Sequence, residues 1–372
     1  MLALGVSGIL MVTSASMSTN VDTLSLVSIF FKQVTFLFIG YVAYALLAKY
    51  FSFPLFRKAS RLLMGLTFIL LIYALTFGEI NGAKAWIQIP GIGMTLQPSE
   101  FAKLMVILIV ATYLGDNRQR KDSEWDLISI PFGFWLSVVV IVIILQSDLG
   151  SGIVVFILGY ASFLLVGHPK LAKLQRWGTL LMVMGFVVLY VLVSPMGVSL
   201  IQSTGLLKGY QLDRFINAIN PFQNQYGSGY QLVNGLVAFT RGGWLGVGYG
   251  NGLQKYGYLP AAKTDFILAV IAEELGFIGV LLIVAFYGWM VVRLFTHAFR
   301  SQSEKHRIVL IGVGLYIAIH FILNVGGVTA LIPLTGVPLL MLSSGGSSTL
   351  SLMMALGLAQ RMIIDERKAK TV

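Results

Sequence analysis

Ten stretches of this chain are apolar for long enough to be helices in lipid, at roughly 2–16, 31–49, 61–78, 98–115, 127–145, 150–167, 177–194, 265–292, 308–330 and 338–360. Backbone inside a bilayer must satisfy its own hydrogen bonds, which leaves helices or closed barrels. A barrel strand is short and alternates, whereas a spanning helix needs about 20 mostly apolar residues. The expected fold is therefore all-α: a polytopic membrane protein of about ten transmembrane helices, read as one membrane domain over 1–372. A long extracytoplasmic loop, about 195–264, should separate the seventh helix from the eighth. The composition agrees, with 57% hydrophobic and 11% charged residues, against about 25% charged in a soluble chain. The first run resembles a secretory leader but has no basic residues before it, so it is read as a helix.

The distribution of the 26 Lys and Arg orients the chain. Loops 49–61, 116–126, 168–176 and 293–307, with the tail from Arg361, hold 18 of them. These segments alternate as the positive-inside rule requires, which puts both termini in the cytoplasm. The net charge of +11 is thus largely a topology signal and implies no nucleic-acid partner. There is no cysteine, so disulfides and thiol chemistry are excluded. His168, His297, His306 and His320 show no ligand spacing, and no phosphate-binding G-x-x-x-x-G-K-[ST] occurs.

Polar residues at lipid depth are the candidate functional residues. Tyr258 to Gly279 runs from a polar loop into an apolar helix and carries Asp265, Glu273 and Glu274. An ionisable group there costs roughly 3 kcal/mol on insertion scales. The structural alternatives are a helix-start Asp favoured by the helix dipole and a Glu pair satisfied inside a bundle. The outer loop holds Lys208, Arg214, Arg241, Lys255 and Lys263 against one acid, Asp213. Long loops cross a membrane regardless of charge, so topology does not require this excess. Glu100 and Lys103, after Gln97-Pro98-Ser99, lie three apart on one helix face and can pair. Asp148 lies in a turn between two apolar runs, and Ser343 to Ser348 is read as part of the last helix, where small residues let helices approach closely.

Four motifs at matching spacing resemble the SEDS family, the FtsW, RodA and SpoVE cell-wall proteins. They are Trp86 with Gln97–Leu104; Tyr210, Arg214 and Asn220-Pro221; Gln254-Lys255, Tyr258-Leu259-Pro260 and Thr264-Asp265-Phe266-Ile267 with Glu273-Glu274-Leu275-Gly276; and Asn324-Val325-Gly326, Pro333, Gly336 and Ser343 with Gly345-Gly346-Ser347-Ser348. The resemblance implies a ten-helix peptidoglycan glycosyltransferase. Such an enzyme joins lipid II into glycan strands outside the cytoplasmic membrane of a bacterium. Its partners would be a class B penicillin-binding protein and other division or elongation proteins, and the wording of the motifs leans to the FtsW branch at the septum. It assigns Asp265 as the catalytic acid–base residue. Arg214, Lys255, Lys263 and Lys103 would meet the pyrophosphate, with a divalent cation as the alternative, and Glu100, Thr264 and Glu273 would complete the substrate site. Lys263 departs from the family's usual His, and Ser344 from its usual Tyr. Two other readings share these residues: a flippase for lipid-linked precursors, which needs polar groups through the membrane depth, and a scaffold, which would not need Asp265.

Overall fold

The computed structural model describes residues 1–372 apart from 18–21, 81, 90–93, 117–122, 195, 200–209 and 372. Lys208, Asn81 and the loop cations Arg118, Arg120 and Lys121 lie outside the described residues. Each of the ten apolar runs meets a helix: α1 (Leu2–Ala15), α2 (Thr23–Tyr50), α3 (Phe53–Ala74), α4 (Pro98–Leu114), α5 (Glu124–Val140), α6 (Leu149–Leu164) and α7 (Ala172–Leu192), then α10 (Ile267–Phe299), α11 (Glu304–Val328) and α12 (Gly346–Thr371). Six helical spans among the described residues are long and apolar enough to cross a membrane unaided. The protein is a multi-pass membrane protein.

One expectation gains detail and another needs correction. The long 195–264 segment between α7 and α10 carries two helices of its own, α8 (Tyr210–Ile219) and α9 (Tyr230–Gly242). Both are amphipathic, with polar residues between the apolar ones, so a search for continuous apolar runs passes over them. The last helix begins at Gly346, not near 338, and Ser343, Ser344 and Gly345 precede it as loop. Pro333 and Pro338 have no N–H to give a helix, and Gly336 and Met341 take positive φ.

The chain divides into two compact units, each assembled from three separate stretches. One comprises Phe36–Trp177, Gly288–Ile319 and Gly346–Val372. Its axis is α4, in which 14 of 17 residues are buried. Pro98 opens α4 at a position where a missing N–H costs nothing, after an extended Gln97. A helix apolar on every side has no polar face for water and belongs in an interior or in lipid; α4 takes the interior, against α3, α5, α6 and α12. A short antiparallel hairpin, β1 (Ile87–Ile89) with β2 (Met94–Leu96), leads into it. The end of α5 widens into a π-helical turn, Ile141–Leu145. Beyond it Asp148 caps α6 by accepting from the Ser151 N–H at 3.0 Å.

The other unit comprises Met1–Thr35, Gly178–Tyr287 and His320–Gly345. Its core gathers Leu4, Met11 and Val12 of α1, Leu232 and Ala238 of α9, the run Phe266–Ala272, and Val337, Leu339, Leu340 and Leu342. Residues of α7 here are equally apolar but stand exposed, Leu181 and Tyr190 among them, as lipid-facing side chains would.

In this unit α10 is broken at Gly276, whose φ is 68° and ψ −170°. The break frees backbone groups that the 243–248 segment satisfies from the side. Val247 N–H donates to Glu273 O at 2.9 Å, and Gly248 N–H to Glu274 O at 3.0 Å. In return Phe277 N–H donates to Gly243 O and Ile278 N–H to Trp244 O, at 2.9 and 3.2 Å. Interrupted helices persist at membrane depth when the freed groups are re-paired in this way. A Cβ at Gly276 would lie 2.3 Å from Gly246 N, and this positive-φ, extended-ψ conformation, adopted essentially by glycine alone, itself costs an L-residue about 1–3 kcal/mol. Gly276→Ala should therefore lower stability by at least about 2 kcal/mol. Thermal unfolding in detergent, with limited proteolysis of the 243–266 segment, checks this; an unchanged melt and cleavage rate would show that the break tolerates a side chain.

Candidate functional site

Asp265 closes the run of turns that leads into α10. The turns are tied by Thr264 N–H and Phe266 N–H, which both donate to Ala261 O at 3.1 Å. Thr264 Oγ1 donates to the same carbonyl at 3.3 Å. Lys263, beside it, is exposed, and its carbonyl accepts from Ser344 N–H at 2.7 Å. The Asp265 side chain is half-buried. Burial lifts its pKa to about 6, and the nearby Arg214 guanidinium opposes that rise. Arg214 comes from α8, so the helix hidden in the outer segment delivers the site's cation. Gly336 defines the common face of the two charges: a Cβ there would lie 3.8 Å from both Arg214 Nη2 and Asp265 Oδ2.

A carboxylate with a pKa near 6 is ionised at neutral pH yet basic enough to take a proton from a hydroxyl as that hydroxyl attacks. No cluster of three His, Cys, Asp or Glu occurs among the described residues. A divalent cation that arrives with substrate phosphates needs only one or two carboxylates from the protein, and Asp265 is one such group.

The two glutamates of α10 are held differently. Glu273 accepts from Leu253 N–H at 2.9 Å and from Gln254 N–H at 3.1 Å, with Arg241 Nε 3.6 Å away. Glu274 lies 2.7 Å from Lys255 Nζ, accepts from Ser14 Oγ at 2.7 Å and from Gly250 N–H at 3.1 Å. Lys255 also reaches Gly250 O at 2.8 Å and Ser14 Oγ at 2.9 Å, which engages all three of its hydrogens. Glu273, Glu274 and Lys255 are buried, and together they pin the glycine-rich outer segment onto α10. Ser14 was not legible as a partner, because a lone serine in an apolar helix carries no signal of what it meets.

Glu100 and Lys103 belong to the α4-centred unit. They pair at 2.7 Å with both side chains fully buried. Tyr316 of α11 donates its hydroxyl to Glu100 Oε2 at 2.8 Å and lies 2.6 Å from Ser351 Oγ of α12. Lys103 Nζ also stands 5.8 Å from the centroid of the Tyr316 ring. The helical spacing foretold the ion pair, but Tyr316 and Ser351 are over 200 residues further along and nothing in their local sequence marks them. In the same unit Gln97 Nε2 donates to Asp148 Oδ2 at 2.9 Å and to Ser151 Oγ at 3.2 Å. This joins the starts of α4 and α6, so Asp148 serves that junction as well as its own cap.

Comparison with known proteins returns one consistent group. A family described as cell cycle protein, covering FtsW, RodA and SpoVE, matches residues 1–368. A relative from Dichelobacter nodosus, named as a probable peptidoglycan glycosyltransferase FtsW, is 35% identical over 98% of this chain and 89% of its own length. One of the same name from Bacillus subtilis is 34% identical over 94% of this chain and 85% of its own. Among solved structures, a chain of a peptidoglycan synthase complex, described as coordinating polymerization and crosslinking, matches with a TM-score of 0.73 at 27% identity. That match covers 98% of this chain and 96% of the other. The rod shape determining protein RodA of Thermus thermophilus matches with a TM-score of 0.65 at 26% identity, over 98% of this chain and 94% of its own.

Removing one partner of a buried ion pair leaves a bare charge and costs ~3–5 kcal/mol. Glu100→Ala and Lys103→Ala should each produce that loss, and the exchange Glu100→Lys with Lys103→Glu should recover part of it. Yield and thermal unfolding of the purified variants are the measurements; single variants that melt with the parent would mean that the pair contributes nothing to the fold.

Proposed function

Because this chain belongs to the FtsW/RodA/SpoVE family, we infer that it is a peptidoglycan glycosyltransferase of the cytoplasmic membrane in which Asp265 is the general base. The observation that carries the reading is Asp265 itself: half-buried, lifted to about 6, beside Arg214 and facing the bare Gly336. The substrate is lipid II. In the step, the acceptor sugar's hydroxyl gives its proton to the Asp265 carboxylate while its oxygen bonds to the donor's anomeric carbon. The bond from that carbon to the donor phosphate oxygen breaks, and the lipid pyrophosphate leaves with the electron pair. Charge grows on the leaving oxygens, and fixed cations stabilise it most where water is excluded.

Arg214 and the exposed Lys263 are the cations this reading uses, since Lys255 is engaged with Glu274. Glu273 and Thr264 support the segment that carries Asp265, and Glu100 with Lys103 supports the fold of the α4 unit. The distribution of Lys and Arg supports cytoplasmic termini and a site at the outer face. A class B penicillin-binding protein is the fitting partner, in keeping with the synthase complex among the structural relatives. The FtsW names among the relatives favour a place in division.

Asp265→Asn should reduce polymerisation of labelled lipid II by ~10²–10⁴-fold. The wild-type rate should rise with pH through about 6, because only the ionised carboxylate accepts the proton. Stability should move the other way. The folded protein binds this proton more tightly than the unfolded chain, so the wild type loses stability as pH rises from the ordinary Asp value to about 6. The Asn variant has no such loss and should melt above the wild type at pH 7, with the gap closing toward pH 4. Polymer formation by the Asn variant at the wild-type rate would remove Asp265 from the chemistry.

Lys263 gives an independent test. Lys263→His should keep part of the activity and add a loss of rate between about pH 6 and 7.5 as the ring loses its charge. Coincident rate–pH curves for the wild type, Lys263→His and Lys263→Ala would exclude this side chain from the site.

A further inference from the structure

We propose that Asn324 is the positioning residue for Asp265, holding the carboxylate against the Arg214–Gly336 face by tying together the two backbone segments that form it. The proposal deepens the glycosyltransferase reading and rests on it. Asn324 lies near the end of α11, 3% exposed. Its Nδ2 donates to Asp265 O at 2.9 Å and to Val337 O at 2.9 Å. An amide nitrogen has two hydrogens, and here each goes to a different segment. One acceptor belongs to the proposed base itself. The other belongs to the residue after Gly336, the glycine whose open side meets Asp265 Oδ2 and Arg214 Nη2.

The tie joins two segments at points where neither is helical. Asp265 sits in turns just outside α10, and residues 329–345 run without helix from α11 to α12. A second link, Ser344 N–H to Lys263 O at 2.7 Å, joins the same two segments further along. That link is backbone to backbone and would survive a change at Asn324. Loss of the amide should therefore let the Asp265 end of the contact shift while the fold stays closed. A displacement of about 1 Å at a reacting group is enough to lose ~10²-fold in rate. Asn324 touches no reacting atom, so its loss should appear in kcat and leave KM nearly unchanged.

The test compares the full-length wild type with Asn324→Ala and Asn324→Gln, each as a monodisperse membrane protein in detergent. Two readouts are taken per folded molecule: kcat and KM for lipid II polymerisation, and the rate at which dicyclohexylcarbodiimide, which modifies protonated carboxyls, labels Asp265 at pH 6, read by mass spectrometry. Asn324→Ala should lose about 10- to 100-fold in kcat at near-constant KM and change the Asp265 labelling rate several-fold. Asn324→Gln retains an amide donor and should lie between Ala and wild type in both readouts; it also serves as the variant of record where Asn324→Ala yields no folded protein. Wild-type kcat and labelling in the Ala variant would overturn the proposal. So would a loss confined to the amount of folded protein, with each remaining molecule fully active and normally labelled. Labelling needs no turnover, so a wild type that forms no polymer overturns the glycosyltransferase reading while the labelling rates still decide the role of Asn324.

Discussion

An ionised carboxylate surrounded by apolar helices must be matched by donors or it will take up a proton, and this constraint organises the unit that holds Asp265. Glu273 and Glu274 are matched in full. Backbone N–H groups of Leu253, Gln254 and Gly250, with Arg241, Lys255 and Ser14, occupy their oxygens. That matching is also what fixes the outer segment, because four of those donors, Gly250, Leu253, Gln254 and Lys255, lie in the glycine-rich stretch that runs up to Asp265. Two buried acids thus serve as the anchor for a third. Among the described residues Arg214 is the charge that opposes burial at Asp265, and burial prevails, which raises its affinity for a proton.

The break in α10 shows the same logic in the backbone. Gly276 interrupts the helical hydrogen bonds just after the two glutamates, and the 243–248 segment supplies the missing partners. Side-chain and backbone bonds therefore converge on one short piece of α10 and hold the outer segment twice over. With the segment pinned there, Asp265 remains on irregular backbone outside the helix, where the carboxylate faces Gly336 and not the helix interior. The arrangement keeps in place an acid whose ionisation burial opposes.

In the α4-centred unit a buried ion pair is treated in the opposite way. Glu100 and Lys103 neutralise each other and receive Tyr316 and, through it, Ser351. Each of these charges has a partner, and the group ties three helices together. Breaking such a pair from one side leaves an uncompensated buried charge. At Asp265, by contrast, burial outweighs the opposing guanidinium.

The amino-acid sequence by itself determined that this chain is a helical membrane protein and that Asp265 and the Glu100–Lys103 pair stand in or beside apolar runs, where charge is costly. Those properties depend on run length, charge count and spacing along one helix, all local in the chain. The amphipathic helices α8 and α9 were missed because alternation of polar and apolar residues dilutes an apolar run. Only the tertiary structure decided that α4 is interior while the equally apolar α7 is exposed, since composition is the same for a core helix and a lipid-facing one. It alone showed which groups meet Glu273 and Glu274 and which lie at Asp265. Ser14, Arg241, Asn324 and Gly336 are distant in sequence from these acids and carry no local signal, and a carboxylate's proton affinity depends on what surrounds it in space.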